Sequence, residues 1–530
     1  MNILFFNHSK IACGVYQYGL RLYNILKKDN SINYIYQEID TLNDYEKVLN
    51  TYKSVQIIIY NYHVSTMPWL FYTEKSKLNI GITHEINVAG PGFDYVNNLF
   101  QIFINNDPTK EDRYTIPRPI FENIENIQPI ISNQVIKDFI EYKEENVPIF
   151  GSFGFGFTNK GFDKIVKYIN YNYNNAIIKF LIPMPYFDPD KEKNNFIVRN
   201  ACYSSNYKKN IKLMICNEFF TNEELLFFLK SNTANIFLYD YMENRGISST
   251  IDYALSVKKP LIISDSYMFR HIYSDDICIY KNNLETCLKN SISYCNKFLE
   301  QYSHKNMIDK FRNIIMNFSN SQASQDIFVI NCLKKKRNGT YVEIGSHCPN
   351  SFSSNTFILE KIYDWKGVLI DYDSSFEESY KKSRPNSLYI INDARKINYR
   401  KFLDENNFPL HIDYLQIDLE TNNKSTLDVL NILDFDVFNK YKFATITFEH
   451  DIYTGDWFNT RNLSREIFKK NGYILVFPDV KVYYEGKYCP FEDWYIHPDL
   501  IDIEFINKIK TEESLFHKDI ITCLNNNLNN

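Results

Sequence analysis

The 530-residue chain is too long for one ordinary domain, so its length predicts two or three domains with separate cores. Its composition, 44% hydrophobic and 23% charged, is typical of soluble globular proteins. With 59 basic and 64 acidic residues the net charge is −5, which gives no electrostatic support for binding nucleic acid or an anionic membrane. The apolar runs are far shorter than the roughly 20 residues of a membrane span. Residues 1–10 also lack the basic start of a signal peptide, so we expect a cytoplasmic protein without a transmembrane segment.

The chain begins with the pattern of an α/β lobe, which we place at residues 1–125. Residues 1–6 form an apolar run typical of a buried strand, and Gly14 lies at the turn that follows. The next segment carries apolar side chains at helical spacing, and strand-like runs recur at 55–60 and 78–82.

A polar stretch at about 123–146 separates this lobe from a second one, which we place at residues 126–318. This lobe opens with a predicted strand and a glycine-rich run, 154–161, that leads into a helix. Such a turn presents backbone amides and the positive end of a helix dipole to a phosphate, and Lys160 adds a positive charge. The spacing is not that of a Walker loop, and no GK[ST] motif occurs.

A second candidate anion-binding end follows the predicted strand at 235–239. Residues 243–250 read ENRGISST and precede a predicted helix at 251–257. If this end faces the Lys160 loop, both would lie in one cleft.

Together these two lobes resemble the GT-B glycosyltransferases. The matching motifs are the Gly14 turn with its helix, GFGFTNKGF at 154–162, and MENRGISSTIDYAL followed by KKPLIISD. The resemblance covers residues 1–318 and implies that the second lobe binds a nucleotide-sugar donor. It implies that Lys160 lies at the diphosphate of the donor and that Glu243 is a catalytic acid near the sugar. From the two candidate anion-binding ends we predict Gly154, Arg245, Ser248 and Ser249 as further donor-binding residues.

Two features of this region leave the acidic and acceptor residues open. Many members of the family have two glutamates in an E-x7-E arrangement, whereas this chain has Glu243 and then Asp252 one position late. His84 and Glu85 follow a predicted strand and are a candidate acceptor-site pair, with a solvated loop histidine as the alternative. We predict no metal site, because position 88 is not the histidine that a zinc motif needs, and because the calcium-like start at Asp188 is followed by Lys193 and Arg199 where the loop needs glycine and glutamate.

After a polar linker at 317–326, residues 341–373 have the order strand, turn, helix and strand. Gly345 is not followed by the second and third glycines of a dinucleotide fingerprint, which argues against NAD or FAD. Glu343 lies within the first apolar run, and Asp371 ends the second strand, where an acid can accept hydrogen bonds from ribose hydroxyls. One tight turn between two acids suits S-adenosylmethionine, which has a ribose but no pyrophosphate.

Acidic residues also end the later predicted strands of this region. They predict a crevice at the carboxyl edge of a parallel sheet. A carboxylate or histidine at such an edge could remove a proton from a bound hydroxyl group, which is a weak acid. The strand-end residues are Asp393, Asp418, Glu420, Glu449 and His450, and Asp418, Glu420 and His450 are the candidate catalytic groups.

This region, roughly residues 325–505, resembles the FkbM-type methyltransferases. The motifs occur in family order and include TYVEIGS, SNTFILEK, DWKGVLID, IDYLQIDLE, ITFEHD and EDWY. The resemblance implies an S-adenosylmethionine-dependent O-methyltransferase with a cofactor pocket lined by Glu343, Gly345, Asp371 and Asp393. The chain departs from the family at 421–423, where a glycine-containing turn is usual, and at Asp371, where glutamate is common.

The sequence as a whole predicts an α/β protein with two Rossmann-like GT-B lobes, a Rossmann-like class I methyltransferase domain and a C-terminal tail at 506–530. The joint hypothesis is a bifunctional enzyme that adds a sugar and methylates a sugar hydroxyl on a glycan or glycoconjugate acceptor. Two alternatives remain. In one the GT-B-like region only binds glycan for the methyltransferase, and in the other the chain is a non-catalytic scaffold.

Overall fold

The computed structural model describes residues 1–73, 77–84, 99–110, 114–349, 353–455 and 457–528. The chain divides into two compact units, which we call unit 1, residues 1–73 with 79–314, and unit 2, residues 315–530 with the described residues 77–78. Both are α/β units built on largely parallel sheets. Within the described ranges, no helix is long and apolar enough to cross a membrane.

The first sheet of unit 1 has six strands in the order β2-β1-β3-β4-β5-β6. β1 runs parallel to β2 and β3, and β4, β5 and β6 run parallel to one another. All six residues of β3 are buried, as expected for a strand covered on both faces. The elements are β1 Asn2–Asn7, α1 Gly14–Leu26, β2 Asn33–Glu38, α2 Leu42–Thr51, β3 Ile57–Tyr62, β4 Leu78–Thr83, β5 Ile102–Asn105 and β6 Tyr114–Thr115.

The second sheet of unit 1 has five parallel strands in the order β11-β10-β7-β8-β9. Its carboxyl edge carries the glycine-rich loop and the ENRGISST segment. The elements are α3 Gln134–Glu141, β7 Ile149–Phe153, α4 Phe162–Asn172, β8 Ala176–Leu181, α5 Lys191–Ser205, β9 Ile211–Cys216, α6 Asn222–Ser231, β10 Ala234–Phe237, α7 Thr250–Ser256, β11 Leu261–Ile263, α8 Leu284–Gln301 and α9 His304–Met316.

Unit 2 contains one seven-stranded sheet in the order β14-β13-β12-β15-β16-β18-β17. The first five strands are parallel, whereas β18 runs antiparallel to both of its neighbours. The strand order reverses between β12 and β15, which is where doubly wound sheets open a ligand crevice. The strands are β12 Thr340–Ile344, β13 Lys366–Asp371, β14 Leu388–Ile391, β15 His411–Ile417, β16 Lys442–Glu449, β17 Ile474–Tyr484 and β18 Lys487–Ile496.

Eight helices are described in unit 2 after α9, and two of them lie where the sequence predicts a tail. Ile520 and Leu524 of the last helix are fully buried, so this segment is part of the folded unit. Residues 529–530 lie outside the described part. The helices are α10 Gln325–Cys332, α11 Phe357–Tyr363, α12 Glu377–Ser383, α13 Tyr399–Glu405, α14 Ser425–Asp436, α15 Phe458–Lys470, α16 Ile503–Ile509 and α17 His517–Leu528.

Candidate functional site

Unit 1 contains a cavity of about 740 Å³. The structure brings all five residues predicted to bind the donor onto its wall, and Glu243 is not among the lining residues. Their role in binding remains a prediction. The five residues are Gly154, Lys160, Arg245, Ser248 and Ser249.

The glycine-rich loop reaches this cavity because it packs tightly against the chain that follows β10. Gly161 has φ of +63°, and a Cβ atom there would lie 2.0 Å from the carbonyl oxygen of Leu238. Only glycine fits this close approach in the left-handed region. The loop is thereby fixed between β7 and α4, with Lys160 on the cavity wall.

Arg118, Lys160 and Arg245 line the cavity, and Arg118 is already paired with Asp252. The Lys160 amine lies 3.8 Å from the ring centroid of Tyr239. Among the described residues, neither Lys160 nor Arg245 forms an ion pair with a carboxylate, and no aspartate or glutamate lines the cavity. Uncompensated cations in a concave site favour an anionic ligand.

Hydroxyl groups lie beside these cations. Ser248 Oγ is 2.8 Å from Thr250 Oγ1, which is in turn 3.2 Å from the Tyr239 hydroxyl. Ser249 makes no capping hydrogen bond to α7. A Cβ atom on Gly14, the first residue of α1, would lie 3.5 Å from Ser249 Oγ, so the start of α1 and the ENRGISST segment are in contact at the cavity wall.

His84 also lines the cavity and is held as a neutral ring. Its Nε2 is 2.7 Å from Asn61 Oδ1, and its Nδ1 is 2.9 Å from Asn106 Nδ2. Burial, reinforced by His63 and Arg118, lowers the pKa of His84 well below its usual value. His84 is therefore not the solvated histidine of the alternative interpretation. Glu85, its predicted partner, lies outside the described residues.

The sequence motifs did not identify the two asparagines whose side chains contact the His84 ring. Asn61 lies within β3 and Asn106 directly follows β5. The available signal was an asparagine within or directly after a mostly apolar strand, since a buried polar side chain needs a hydrogen-bond partner.

Asp252, which lies one position beyond the second glutamate of the E-x7-E arrangement, forms ion pairs with buried arginines. Its carboxylate is fully buried and accepts hydrogen bonds from Arg21 Nη2 at 2.8 Å and from Arg118 Nε and Nη2 at 2.9 and 2.8 Å. Asp252 does not line the cavity, so it does not supply a second acid there.

In unit 2, Gly345 forms the turn after β12. Its φ is +86°, and a Cβ atom would lie 1.6 Å from the carbonyl oxygen of Asp418, which follows β15. The carboxyl ends of β12 and β15, which flank the reversal of strand order, are therefore in contact. Glu343 is buried behind this turn, where it accepts hydrogen bonds from the Asn355 amide at 3.0 Å and from the Thr356 hydroxyl. Burial raises the pKa of Glu343 to about 7, against the effect of Arg384.

Asp371 holds the loop after Gly345. Its carboxylate accepts hydrogen bonds from the His347 amide at 2.7 Å and the Asp373 amide at 2.9 Å. Each oxygen keeps a lone pair for a further donor. Asp393, in contrast, pairs with Arg395 at 3.0 Å and caps the turn that follows, which is the role of a turn former.

The remaining predicted residues separate into two groups. Asp418 lies beside Glu449, and burial raises the pKa of both carboxyls. Glu420 is exposed at the start of a short 3-10 turn. His450 is fully buried, and its Nε2 lies 3.4 Å from Asp479 and 3.6 Å from Asp493. Its catalytic role stays a prediction.

The His450, Asp479 and Asp493 side chains are close enough to hold a cation. Both carboxylates are already compensated, however. Arg465 binds Asp493 at 2.6 and 2.7 Å, and Arg461 binds Asp479 at 3.1 Å. Two guanidinium groups on two carboxylates disfavour a metal ion here.

No protein-family model and no curated protein matches the chain. Among solved structures, Anabaena HepE in complex with UDP and glucose shares 10% identity at a TM-score of 0.44, over 60% of this chain and all of HepE. A UDP-forming α,α-trehalose-phosphate synthase from Burkholderia xenovorans shares 9% at 0.43, over 60% of this chain and 100% of its own. A sucrose-phosphate synthase from Thermosynechococcus elongatus shares 10% at 0.40, over 59% of this chain and 94% of its own.

Proposed function

We propose that unit 1 is a glycosyltransferase that moves a sugar from a nucleotide-sugar donor to a glycan or glycoconjugate acceptor. One observation carries the proposal. The five residues that the sequence motifs single out for the donor line one cavity, and the two cations among them lack a carboxylate partner among the described residues. A volume of about 740 Å³ is in the range of small-molecule and cofactor sites.

In this reaction the acceptor hydroxyl oxygen bonds to the anomeric carbon and loses its proton to a base or to water, as the bond from that carbon to the diphosphate oxygen breaks. The departing diphosphate gains negative charge. Lys160 and Arg245 stabilise this charge, because both are already in place on the cavity wall before the reaction. Glu243, as a catalytic acid, remains a sequence prediction.

Calorimetry with UDP-glucose, UDP-galactose and GDP-mannose tests this proposal. We expect binding by the wild type and a loss of about 10-fold or more for Lys160→Met, equivalent to about 1.4 kcal/mol. Lys167→Met is the matched control, because Lys167 lies on α4 of the same lobe in an exposed pair with Asp163. Failure of the wild type to bind any nucleotide sugar would remove the proposal. Nucleotide binding without sugar transfer would favour a lobe pair that only binds glycan.

We further propose that unit 2 is an S-adenosylmethionine-dependent O-methyltransferase. The supporting observation is the meeting of Gly345 and Asp418 at the reversal of strand order, with Asp371 at the end of the adjacent strand. When bound, the cofactor would supply an electrophilic methyl group on a sulfonium.

The residues present fit such a cofactor. Gly345 lets the turn after β12 approach the chain after β15 closely, and Asp371 keeps acceptor capacity for ribose hydroxyls. Asp393 is less suited, because Arg395 already occupies its carboxylate. Together with unit 1, this activity would make the chain a bifunctional glycan-modifying enzyme.

Calorimetry with S-adenosylmethionine and S-adenosylhomocysteine tests this second function. We expect both to bind the wild type, and Asp371→Ala to weaken binding about 10-fold or more, about 1.4 kcal/mol. The control is Asp364→Ala, since Asp364 pairs with Arg337 in an exposed position of unit 2. An absence of binding heat in the wild type would sink the methyltransferase proposal and favour a scaffold.

A further inference from the structure

Three aromatic side chains form an apolar surface on the wall of the unit 1 cavity, and we call them the aromatic ledge: Phe155, Tyr186 and Phe187. The ring centroid of Phe187 lies 5.8 Å from that of Phe155 and 5.5 Å from that of Tyr186. Phe155 follows β7 and the other two residues follow β8, so the ledge belongs to the second lobe. The cavity that carries the predicted donor-binding residues therefore also has a continuous aromatic side.

The ledge is apolar and yet open to solvent. Tyr186 is 41% exposed and Phe187 is 52% exposed, although both rings are in contact with each other. Contiguous apolar patches on a protein surface mark sites where a ligand or partner covers them. Because these rings line the cavity, the surface that they leave open faces a ligand bound there.

The orientation of the rings favours a flexible aliphatic ligand over a flat aromatic one. The plane of Phe187 stands at 89° to the planes of Phe155 and Tyr186, so a nucleobase could stack on only one of the three rings. A nucleobase also needs hydrogen-bond partners along its edge, and the Tyr186 hydroxyl is the single polar group of the ledge side chains. An aliphatic chain needs neither a flat slot nor polar partners.

The Tyr186 hydroxyl is directed toward the first lobe. Burial and the Cys13 thiol, which accepts a hydrogen bond from this hydroxyl, raise the pKa of Tyr186 to about 12. Cys13 directly precedes α1 and lines the same cavity. The ledge therefore lies where the two lobes of unit 1 meet, which is where an acceptor has to approach the donor.

The first lobe contributes a hydrogen-bonding group to the same cavity. Gln17 of α1 lines it, and the Gln17 Nε2 donates a hydrogen bond to the Ile11 carbonyl at 3.0 Å. The Gln17 Oε1 atom is buried and has no hydrogen-bond partner among the described residues. A buried acceptor without a partner indicates a ligand that donates to it, and a sugar hydroxyl can do so.

We propose that the acceptor of unit 1 is a sugar with an aliphatic aglycone, that is, a lipid-linked sugar. A hydroxyl group of the sugar donates to Gln17 Oε1, and the aliphatic chain lies on the aromatic ledge. The donor diphosphate uses the cationic part of the wall, at Lys160 and Arg245, and leaves the apolar ledge to the acceptor. This inference rests on the proposed glycosyltransferase function of unit 1.

Calorimetry on the full chain, with UDP or GDP present in separate titrations, tests the acceptor site without requiring turnover. The probes are the octyl and methyl β-glycosides of glucose, galactose and N-acetylglucosamine, below the concentrations at which the octyl compounds form micelles. We expect at least one octyl glycoside to bind about 10-fold or more tightly than its methyl counterpart, equivalent to about 1.4 kcal/mol. Its heat-capacity change on binding should also be more negative, because more apolar surface is buried. Equal affinities within every pair, or no binding of any octyl glycoside, would overturn the proposal.

Variants connect the two parts of the acceptor to the named residues. Phe187→Ala should reduce the affinity for the octyl glycoside to that for the methyl glycoside, whereas Gln17→Leu should weaken both by the same factor and keep their ratio. Tyr171→Ala is the control and should keep the wild-type preference, because Tyr171 is 82% exposed on α4 of the same lobe and is not among the cavity-lining residues. Circular dichroism confirms that each variant is folded. A folded Phe187→Ala protein that keeps the full preference for the octyl glycoside would contradict the site.

Two further measurements test the other possible occupants of the ledge. A loss of UDP or GDP affinity of about 10-fold or more in Phe187→Ala, with an unchanged octyl-to-methyl ratio, would place the nucleobase on the ledge and overturn the inference. Sedimentation with phosphatidylcholine vesicles tests a membrane surface. Wild type that sediments, Phe187→Ala that does not, and equal affinities for octyl and methyl glycosides would make the ledge a membrane contact and overturn the inference as well.

The nucleotide-sugar titrations separate this inference from its basis. If a nucleotide sugar binds while no octyl glycoside is preferred, the acceptor site is wrong and the glycosyltransferase proposal stands. If no nucleotide sugar binds, the glycosyltransferase proposal is wrong, and the acceptor role of the ledge is wrong with it even where an octyl glycoside binds.

Discussion

Arg118 and Asp252 form a bidentate ion pair that is buried within unit 1, with 1% and 0% of their side chains exposed. Arg118 donates from Nε and Nη2 to the two carboxylate oxygens of Asp252, and Arg21 adds a third bond. The pair joins α7 of the second lobe to chain segments of the first. Asp252 lies near the position of the second acid in the E-x7-E arrangement, but its carboxylate instead links the two lobes of unit 1 through ion pairs.

We therefore expect Asp252→Asn to destabilise unit 1 by about 3–5 kcal/mol, because it leaves two buried guanidinium groups without their counter-charge. Urea denaturation followed by fluorescence measures the change. Asp163→Asn is the control, since the exposed pair of Asp163 with Lys167 should contribute less than about 1 kcal/mol. Equal losses in the two variants would show that the buried pair has no special role.

A second prediction concerns the contact between Gly345 and Asp418. Gly345→Ala requires a left-handed conformation, at about 1–2 kcal/mol, and it also places a methyl group 1.6 Å from a carbonyl oxygen. Gly486→Ala is a matched control, because Gly486 has φ of +83° in the β17–β18 turn and nothing within 4 Å of its Cβ position. We expect the Gly345 variant to lose about 1–3 kcal/mol more than the control in urea denaturation. A difference near zero would mean that the two loops do not touch.

The contrast between Gly345 and His450 shows how far the sequence could lead. The glycine turn and the acid of the next strand are local features, so their pattern predicts a crevice. The position of His450 depends on β18, which inserts beside β16 and buries that strand end under Asp479 and Asp493. Chain order does not reveal such an insertion, since the strand that follows β16 in sequence is β17.

The partners of Asp252 in unit 1 could not be predicted from the sequence either. Its partner Arg118 is 134 residues away in the chain, and Arg21 is 231 residues away. No local pattern relates them. Asp393 is the opposite case, because its partner Arg395 is two residues away and could have been recognised from the sequence.

A third prediction follows from the carboxylates around His450. Burial alone would lower the pKa of His450, but Asp479 and Asp493 outweigh burial and raise it. The protonated ring is therefore favoured in the folded state. Its contribution to stability is fully present below the unfolded pKa of about 6.5 and is lost as pH rises through the higher folded value.

NMR titration of the histidine Cε1 protons should place His450 above pH 6.5. The stability advantage of the wild type over His450→Gln should shrink as pH is raised from 6 to 9. His8 is the contrasting case, because burial lowers its pKa to about 4. The stability that neutral His8 provides is present above pH 6.5 and is lost as pH falls toward 4. A His450 resonance that titrates below 6.5 would contradict the proposed network.

The last prediction concerns Glu492, whose Oε1 accepts a hydrogen bond from Trp494 Nε1 at 2.8 Å. Burial raises the pKa of Glu492 to about 8, and nearby Asp418 acts in the same direction while the Trp494 bond opposes it. The folded state then holds a proton that the unfolded chain releases near pH 4.5, so the stability of the wild type falls as pH rises from about 4.5 to 8. The Glu492→Gln substitution keeps a side-chain oxygen that can accept the hydrogen bond from Trp494, and it removes the pH dependence of stability that the carboxyl causes.

We expect Glu492→Gln to match the wild type within about 1 kcal/mol at pH 5 and to be more stable by about 2 kcal/mol or more at pH 8.5. Denaturant unfolding across this pH range measures both values. Glu466→Gln, at an exposed position of α15, should change stability by less than about 0.5 kcal/mol throughout. If Glu492→Gln is less stable than the wild type at both pH values, the carboxyl is ionised in the folded protein.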